Sequence, residues 1–135
     1  METLRHRDTE KSLFDADLTE VVIGCAIEVH RALGPGLLES VYEECLSYEL
    51  TCKNLSFERQ KSLPLQYKKV QLEAGYRLDL LIENRLVVEL KCVEKILPVH
   101  EAQLMTYLRL TKVKTGLIIN FLTPVLKDGI RRIVY

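Results

Sequence analysis

The chain is short of most features that announce a chemistry. No apolar run reaches the roughly 18 residues of a membrane span, and the N-terminus lacks the basic-then-apolar layout of a signal peptide. A cytoplasmic protein without a membrane partner is therefore expected. The four cysteines, Cys25, Cys45, Cys52 and Cys92, show no CxxC or CxxxC spacing, so buried free thiols are expected rather than zinc ligands or disulfides. There is no Gly-rich phosphate loop, GxSxG elbow, HExxH helix, internal repeat or low-complexity tract. Nor is there a net charge, which argues against a general nucleic-acid coat.

At 135 residues, 47% hydrophobic and 28% charged, the composition is that of one globular domain spanning 1–135, with residues 1–16 expected to be partly flexible. A chain of this length buries roughly two-thirds of its unfolded surface. The charge is unevenly placed. Residues 1–50 hold 4 basic and 11 acidic side chains, residues 51–135 hold 15 and 8, so the second part is suited to phosphates.

Helical spacing of Val22, Cys25, Ala26, Val29 and Leu33 after the capping-box pattern Asp17-Leu-Thr-Glu20 predicts a helix over 18–33. Gly34-Pro35-Gly36 stops it. His30 near its end suits a capping or packing role. A second helix is predicted from Leu37 or Leu38 to Cys52, burying Leu38, Val41, Cys45 and Leu46. Glu39 opens it, three residues before Tyr42 and on the same face. Leu55–Tyr67 alternates loosely around Pro64 and reads as an edge strand or two short ones. Pro98 opens a third helix to Leu110, with Leu104, Met105 and Leu108 inward and His100, Gln103 and Tyr107 on another face. Thr115–Leu122 is a strand covered on both faces, and Ile130–Tyr135 a short last strand.

Between these lies Gly75–Lys91, GYRLDLLIENRLVVELK, two period-two runs that spend positions on Asp79, Glu89 and Lys91. Charges in such runs destabilise unless they are paired, solvated or bound to a cation. Tyr76, Leu78, Leu80 and Ile82 fall on one side of the first run; Val87, Glu89 and Lys91 share one side of the second. The polar link Glu83-Asn84-Arg85 suits a tight antiparallel hairpin. Symmetry about Asn84 sets Asp79 opposite Glu89, whereas a two-residue loop would put them on opposite faces. An odd-length loop is therefore predicted. Like charges so opposed are destabilising, and a divalent cation between them reverses the sign. Asp79, Glu89 and the carbonyl of Leu90 offer hard oxygen ligands to Mg²⁺, and the Lys91 ammonium beside them suits phosphodiester hydrolysis.

The Asp79, Glu89-x-Lys91 pattern after an acid-bearing helix resembles the PD-(D/E)xK nuclease superfamily, although Leu78 rather than Pro precedes Asp79. Gly36-Leu-Leu-Glu39-Ser-Val-Tyr42 is similar to the signature of the GxxExxY family, and Gln103-x-x-x-Tyr107 to the QxxxY element of its exonuclease-like branches. The resemblance covers about Asp17 to Arg132. It implies an α/β (α+β), restriction-endonuclease-like fold with an αβββαβ core, its mixed central sheet flanked by helices and preceded by an extra N-terminal helix. It also implies Mg²⁺, or Mn²⁺ in its place, held by Asp79, Glu89 and the Leu90 carbonyl, with Glu39 completing the site directly or through water. Lys91 is then the water-orienting residue, and Gln103 and Tyr107 position the scissile end or the lysine. The activity implied is hydrolysis of DNA, with a homodimer or partner subunit helping to grip it. The alternatives are a non-catalytic nucleic-acid-binding or scaffolding module of the same fold, and hydrolysis of a small phosphorylated substrate.

Overall fold

The structure, a computed structural model, describes residues 2–135, and the side chains of residues 16–72 and 75–135 among them. Side chains up to residue 15 lie outside that set, and with them most of the segment expected to be partly flexible. The elements run α1 (Glu2–Leu33), α2 (Glu39–Cys52), β1 (Phe57–Tyr67), β2 (Val70–Ile82), β3 (Leu86–Lys91), α3 (Pro98–Thr111), β4 (Thr115–Asn120), a 3₁₀ turn (Leu126–Gly129) and β5 (Ile130–Val134). Helix α1 starts well before Leu18, because no Gly or Pro occurs before Gly24 to interrupt it. Asp17 therefore lies within the helix rather than capping it.

The five strands form one sheet in sequence order. β3 and β4 are parallel, joined by the α3 crossover, and every other neighbouring pair is antiparallel. One face carries α1 and α2, whose Val22, Ala26, Tyr42, Leu46 and Leu50 pack on Leu80, Val88, Leu90, Leu117 and Phe121. The other carries α3, with Leu104 and Leu108 on Leu78, Leu81, Val87 and Ile118. Being sandwiched explains why all of β4 is buried. This mixed sheet between helices is the restriction-endonuclease-like fold, preceded by its extra helix.

Two predicted helix faces are rotated. Leu38 and Val41 are 74% and 37% exposed, whereas Tyr42, Glu43, Leu46, Ser47 and Leu50 are buried. The Tyr42 ring stacks on Phe121 at 4.3 Å, and this large aromatic contact sets the buried side of α2. On α3, Met105 is exposed and Tyr107 takes the inward place, beside the Tyr76 ring at 5.8 Å. Of the cysteines, Cys25 is buried and Cys52 exposed, against the expectation of burial; all four are free. His30 is buried, with its Nε2 2.9 Å from the Thr123 carbonyl, as a packing role requires.

Candidate active site

The predicted hairpin register holds. Leu80 faces Val88, Leu81 faces Val87 and Ile82 faces Leu86 around an odd-length turn whose Glu83 and Asn84 both have positive φ. Backbone pairing stops there, at the level where Asp79 meets Glu89. The Leu90 amide donates to Asp79 Oδ2 at 2.8 Å, and the Asp79 amide donates to Glu89 Oε1 at 3.2 Å. Each carboxylate thus takes a donor of the opposite strand and is locked across the hairpin. A residue's N–H and C=O leave a strand on the same side, so the Leu90 carbonyl also lies on the Asp79 side.

The pleat breaks at this level in two strands at once. Phe57 packs in the α1/α2 core but Leu63 in the α3 core, and likewise Leu80 and Ile82 belong to the first while Leu78 belongs to the second. Strict alternation, which would keep Leu78 with Leu80, therefore fails at Asp79. Its partner level on β1 is Gln60, a non-glycine at φ +49° between the pairs Arg59–Leu80 and Lys61–Leu78. Arg59 and Gln60, neighbours in sequence, consequently both reach Glu43 of α2.

Glu43 is buried, held by the Arg59 guanidinium at 3.0 Å. The Gln60 amide donates both to Glu43 and to Asp79 Oδ1, the latter at 3.1 Å, which fixes its orientation because two carboxylates demand the NH₂ end. Glu43, Gln60 and Arg59 had no place in the sequence reading. Glu43 sits one turn after Glu39 on the same helix, which is a usable signal. Gln60 has none, since its pairing with Asp79 depends on a β1–β2 register that the irregularity at Pro64 hides.

Electrostatics mark the cluster as strained without a cation. Glu89 is buried, and its carboxyl is pushed up to about 8, first by desolvation and then by the charge of Asp79. Asp79 is half-buried and raised mainly by desolvation, against its hydrogen bonds from Leu90 and Gln60. Glu39, exposed in the first turn of α2, is raised by partial burial and by Asp79 and Glu43, with Lys91 opposing. Lys91 thus stands within electrostatic reach of Glu39, Asp79 and Glu89, yet among the described residues it forms no ion pair. Tyr107 is pushed up to about 12 by burial and by the two strand carboxylates, so it remains a neutral hydroxyl beside them. Gln103, one turn earlier on α3, is exposed.

The motif Gly36, Glu39, Tyr42 acquires a physical reading. Gly34 and Gly36 take φ of +73° and +101° to turn the chain from α1 into α2. The Tyr42 hydroxyl donates to the Gly34 carbonyl at 2.6 Å and accepts from the Leu37 amide at 3.1 Å. Tyr42 therefore pins the turn that brings Glu39 within electrostatic reach of Asp79 and Lys91.

Among the described residues no three His, Cys, Asp or Glu side chains converge into a complete cation cage. Asp79 and Glu89 nevertheless suit a hard divalent cation: two raised carboxylates on neighbouring strands, within hydrogen-bonding reach of each other. Mg²⁺ needs only one or two carboxylates, because water and substrate phosphate complete its shell. No helix among the described residues is long and apolar enough to cross a membrane. Neither the curated proteins nor the solved structures compared with the chain contain a match. Residues 16–133, from α1 to the end of the sheet, match the family model of the PD-(D/E)XK nuclease superfamily, and with it a metal-dependent nuclease chemistry on nucleic acid. That match spans most of the chain and the whole sheet, and the chain belongs to the PD-(D/E)XK nuclease superfamily.

Proposed function

We propose that the protein is a Mg²⁺-dependent deoxyribonuclease of the GxxExxY group, with Mn²⁺ able to substitute. The observation that carries this reading is the meeting of Asp79 and Glu89 where the hairpin ladder is interrupted, beside a Lys91 that makes no ion pair among the described residues. Asp79, Glu89 and the Leu90 carbonyl would hold the cation, with Glu39 completing its surroundings directly or through water. A cation there supplies Lewis-acid polarisation of the phosphate and offsets the repulsion of the carboxylates. Lys91 holds the attacking water by hydrogen bonding and stabilises the charge that develops on the phosphate oxygens. Gln60 fixes Asp79 and keeps Glu43 from competing for the same ground. The neutral Tyr107 hydroxyl is a donor for Lys91's water or for the scissile phosphate, and the exposed Gln103 a contact for the substrate end.

A non-catalytic module is the less economical reading. It would keep two destabilising carboxylates and a lysine with no use for them.

The test is cleavage of linear, single-stranded and branched DNA in Mn²⁺ or Mg²⁺ by the wild type, Asp79→Ala and Lys91→Ala. Each variant should lose at least about 100-fold in rate. Equal rates in all three would point to a contaminating nuclease and end the reading.

A further inference from the structure

The hairpin β1–β2 is longer than the sheet that supports it. Its register runs from Phe57–Ile82 out to Tyr67–Val70, whereas β3 accompanies β2 only over Leu80–Ile82. Leu63 and Leu78 still pack on α3 and Tyr76 leans on Tyr107, whereas farther out Tyr67, Val70 and Leu72 are exposed. From Asp79 to Val70 the strand extends about 30 Å at ~3.3 Å per residue. A two-stranded ribbon alone is marginal in water.

Two features break the regular pairing of the ribbon. Opposite Pro64, which has no amide to donate, the register jumps from Leu63–Tyr76 to Leu65–Leu72, a bulge that bends the arm. Gly75 closes it, and a Cβ there would lie 2.8 Å from the Leu63 carbonyl.

The chemistry of the arm is one-sided. Between Gln60 and Leu78 the sequence has Lys61, Lys68, Lys69 and Arg77 against the single acid Glu73. Lys61 is paired with Glu58, but among the described residues Lys68, Lys69 and Arg77 have no acidic partner. Tyr67 is 63% exposed, with the Lys68 ammonium 5.4 Å from its ring centre, and Leu72 is 45% exposed. At the arm's root the half-exposed Tyr76 ring leans on Tyr107, next to the site carboxylates. Cations interleaved with exposed aromatic rings suit a polyanion with stackable faces. A second copy of the chain would instead bring like-charged tips together.

We infer that the β1–β2 arm is a grip for single-stranded nucleic acid running out from the active site. Lys68, Lys69 and Arg77 hold phosphates, while Tyr67 and Tyr76 stack bases. The inference rests on the nuclease reading for what happens at the arm's root, not for the binding itself.

Fluorescence polarisation of labelled 20-mer single strand and duplex, in EDTA and across a KCl titration, tests it with wild type, Lys68→Ala/Lys69→Ala/Arg77→Ala and Tyr67→Ala. The triple variant should flatten the slope of log K against log salt for the single strand by about 2, at ~0.7 per lost phosphate contact. Tyr67→Ala should weaken single-strand binding roughly 5- to 100-fold and leave the slope unchanged. All should keep the wild-type melting temperature and the wild-type hydrolysis of a small chromogenic phosphodiester. A triple variant with wild-type slope and affinity overturns the inference. So does duplex binding as tight as single-strand binding with no effect of Tyr67→Ala, or a dimer by sedimentation that Tyr67→Ala dissociates. Loss of binding in the variants with no cleavage by any form would leave the arm standing and remove the nuclease reading instead.

Discussion

At the scale of the residue, Glu89 carries the sharpest consequence. Its carboxyl is raised to about 8 in the fold, above the ordinary carboxylate value, so without metal the folded state binds the extra proton. Stability from this group is complete below the unfolded value and is lost as pH rises through about 8. In EDTA the wild type should therefore melt progressively lower from pH 5 to pH 9. Glu89→Gln, which mimics the protonated acid, should flatten that profile and exceed the wild type at pH 9 by a few kcal/mol, on the order of 10 °C. Calorimetric melting across the pH range checks this; parallel profiles would mean the burial is relieved by other means. Tyr42 makes a second residue-level case. Tyr42→Phe leaves the Gly34 carbonyl and the Leu37 amide without their partner, at a cost of about 1–3 kcal/mol. Urea unfolding should show it. The nuclease rate should fall with it, because the same turn places Glu39.

At the scale of the element, the β3–α3–β4 crossover depends on one close approach. A Cβ on Gly116 would meet three side-chain atoms of Leu104 at 2.7–3.1 Å, so α3 can sit on β4 only because that position has no side chain. Gly116→Ala should destabilise by roughly 1–3 kcal/mol through overpacking, seen as a lower urea midpoint at unchanged slope. A neutral result would require α3 to shift, and with it Tyr107. The hairpin is the element most legible in sequence. Its link fixes the register by turn geometry, a local matter, so the meeting of Asp79 and Glu89 followed from spacing alone. The faces of α2 and α3 were less legible. Leucine and valine periodicity favoured Leu38, Val41 and Met105, but the aromatic contacts Tyr42–Phe121 and Tyr76–Tyr107 join segments distant in sequence and override it.

At the scale of the whole molecule, α2, β1, the hairpin and α3 converge where the β2–β3 pairing ends, and the acids they bring exceed the cations. A divalent cation should relieve that excess. Millimolar Mg²⁺ or Mn²⁺ should raise the melting temperature, more at pH 8.5 than at pH 6, because below about 8 it must displace the proton on Glu89. At a hundredfold excess over its Kd the gain is about 2.7 kcal/mol. Differential scanning calorimetry with and without chelator checks it, and Asp79→Ala should abolish the gain. A wild-type melting curve indifferent to both ions would remove the metal site from the molecule.

What the sequence determined by itself is what depends on neighbours along the chain. That includes the order of helices and strands, the hairpin's odd turn, and hence Asp79 across from Glu89 with Lys91 two residues on. Only the tertiary structure decided what depends on segments far apart. The coupled break in the pleat at Gln60 and Asp79 needs three strands in register to appear. The Glu43–Arg59–Gln60 brace needs α2 packed over β1, and the arm needs the β2–β3 pairing to stop at Leu80–Val88. Turn chemistry acts over a few residues, whereas packing and burial act across the fold, and the second set how strongly the carboxylates found by the first are held together.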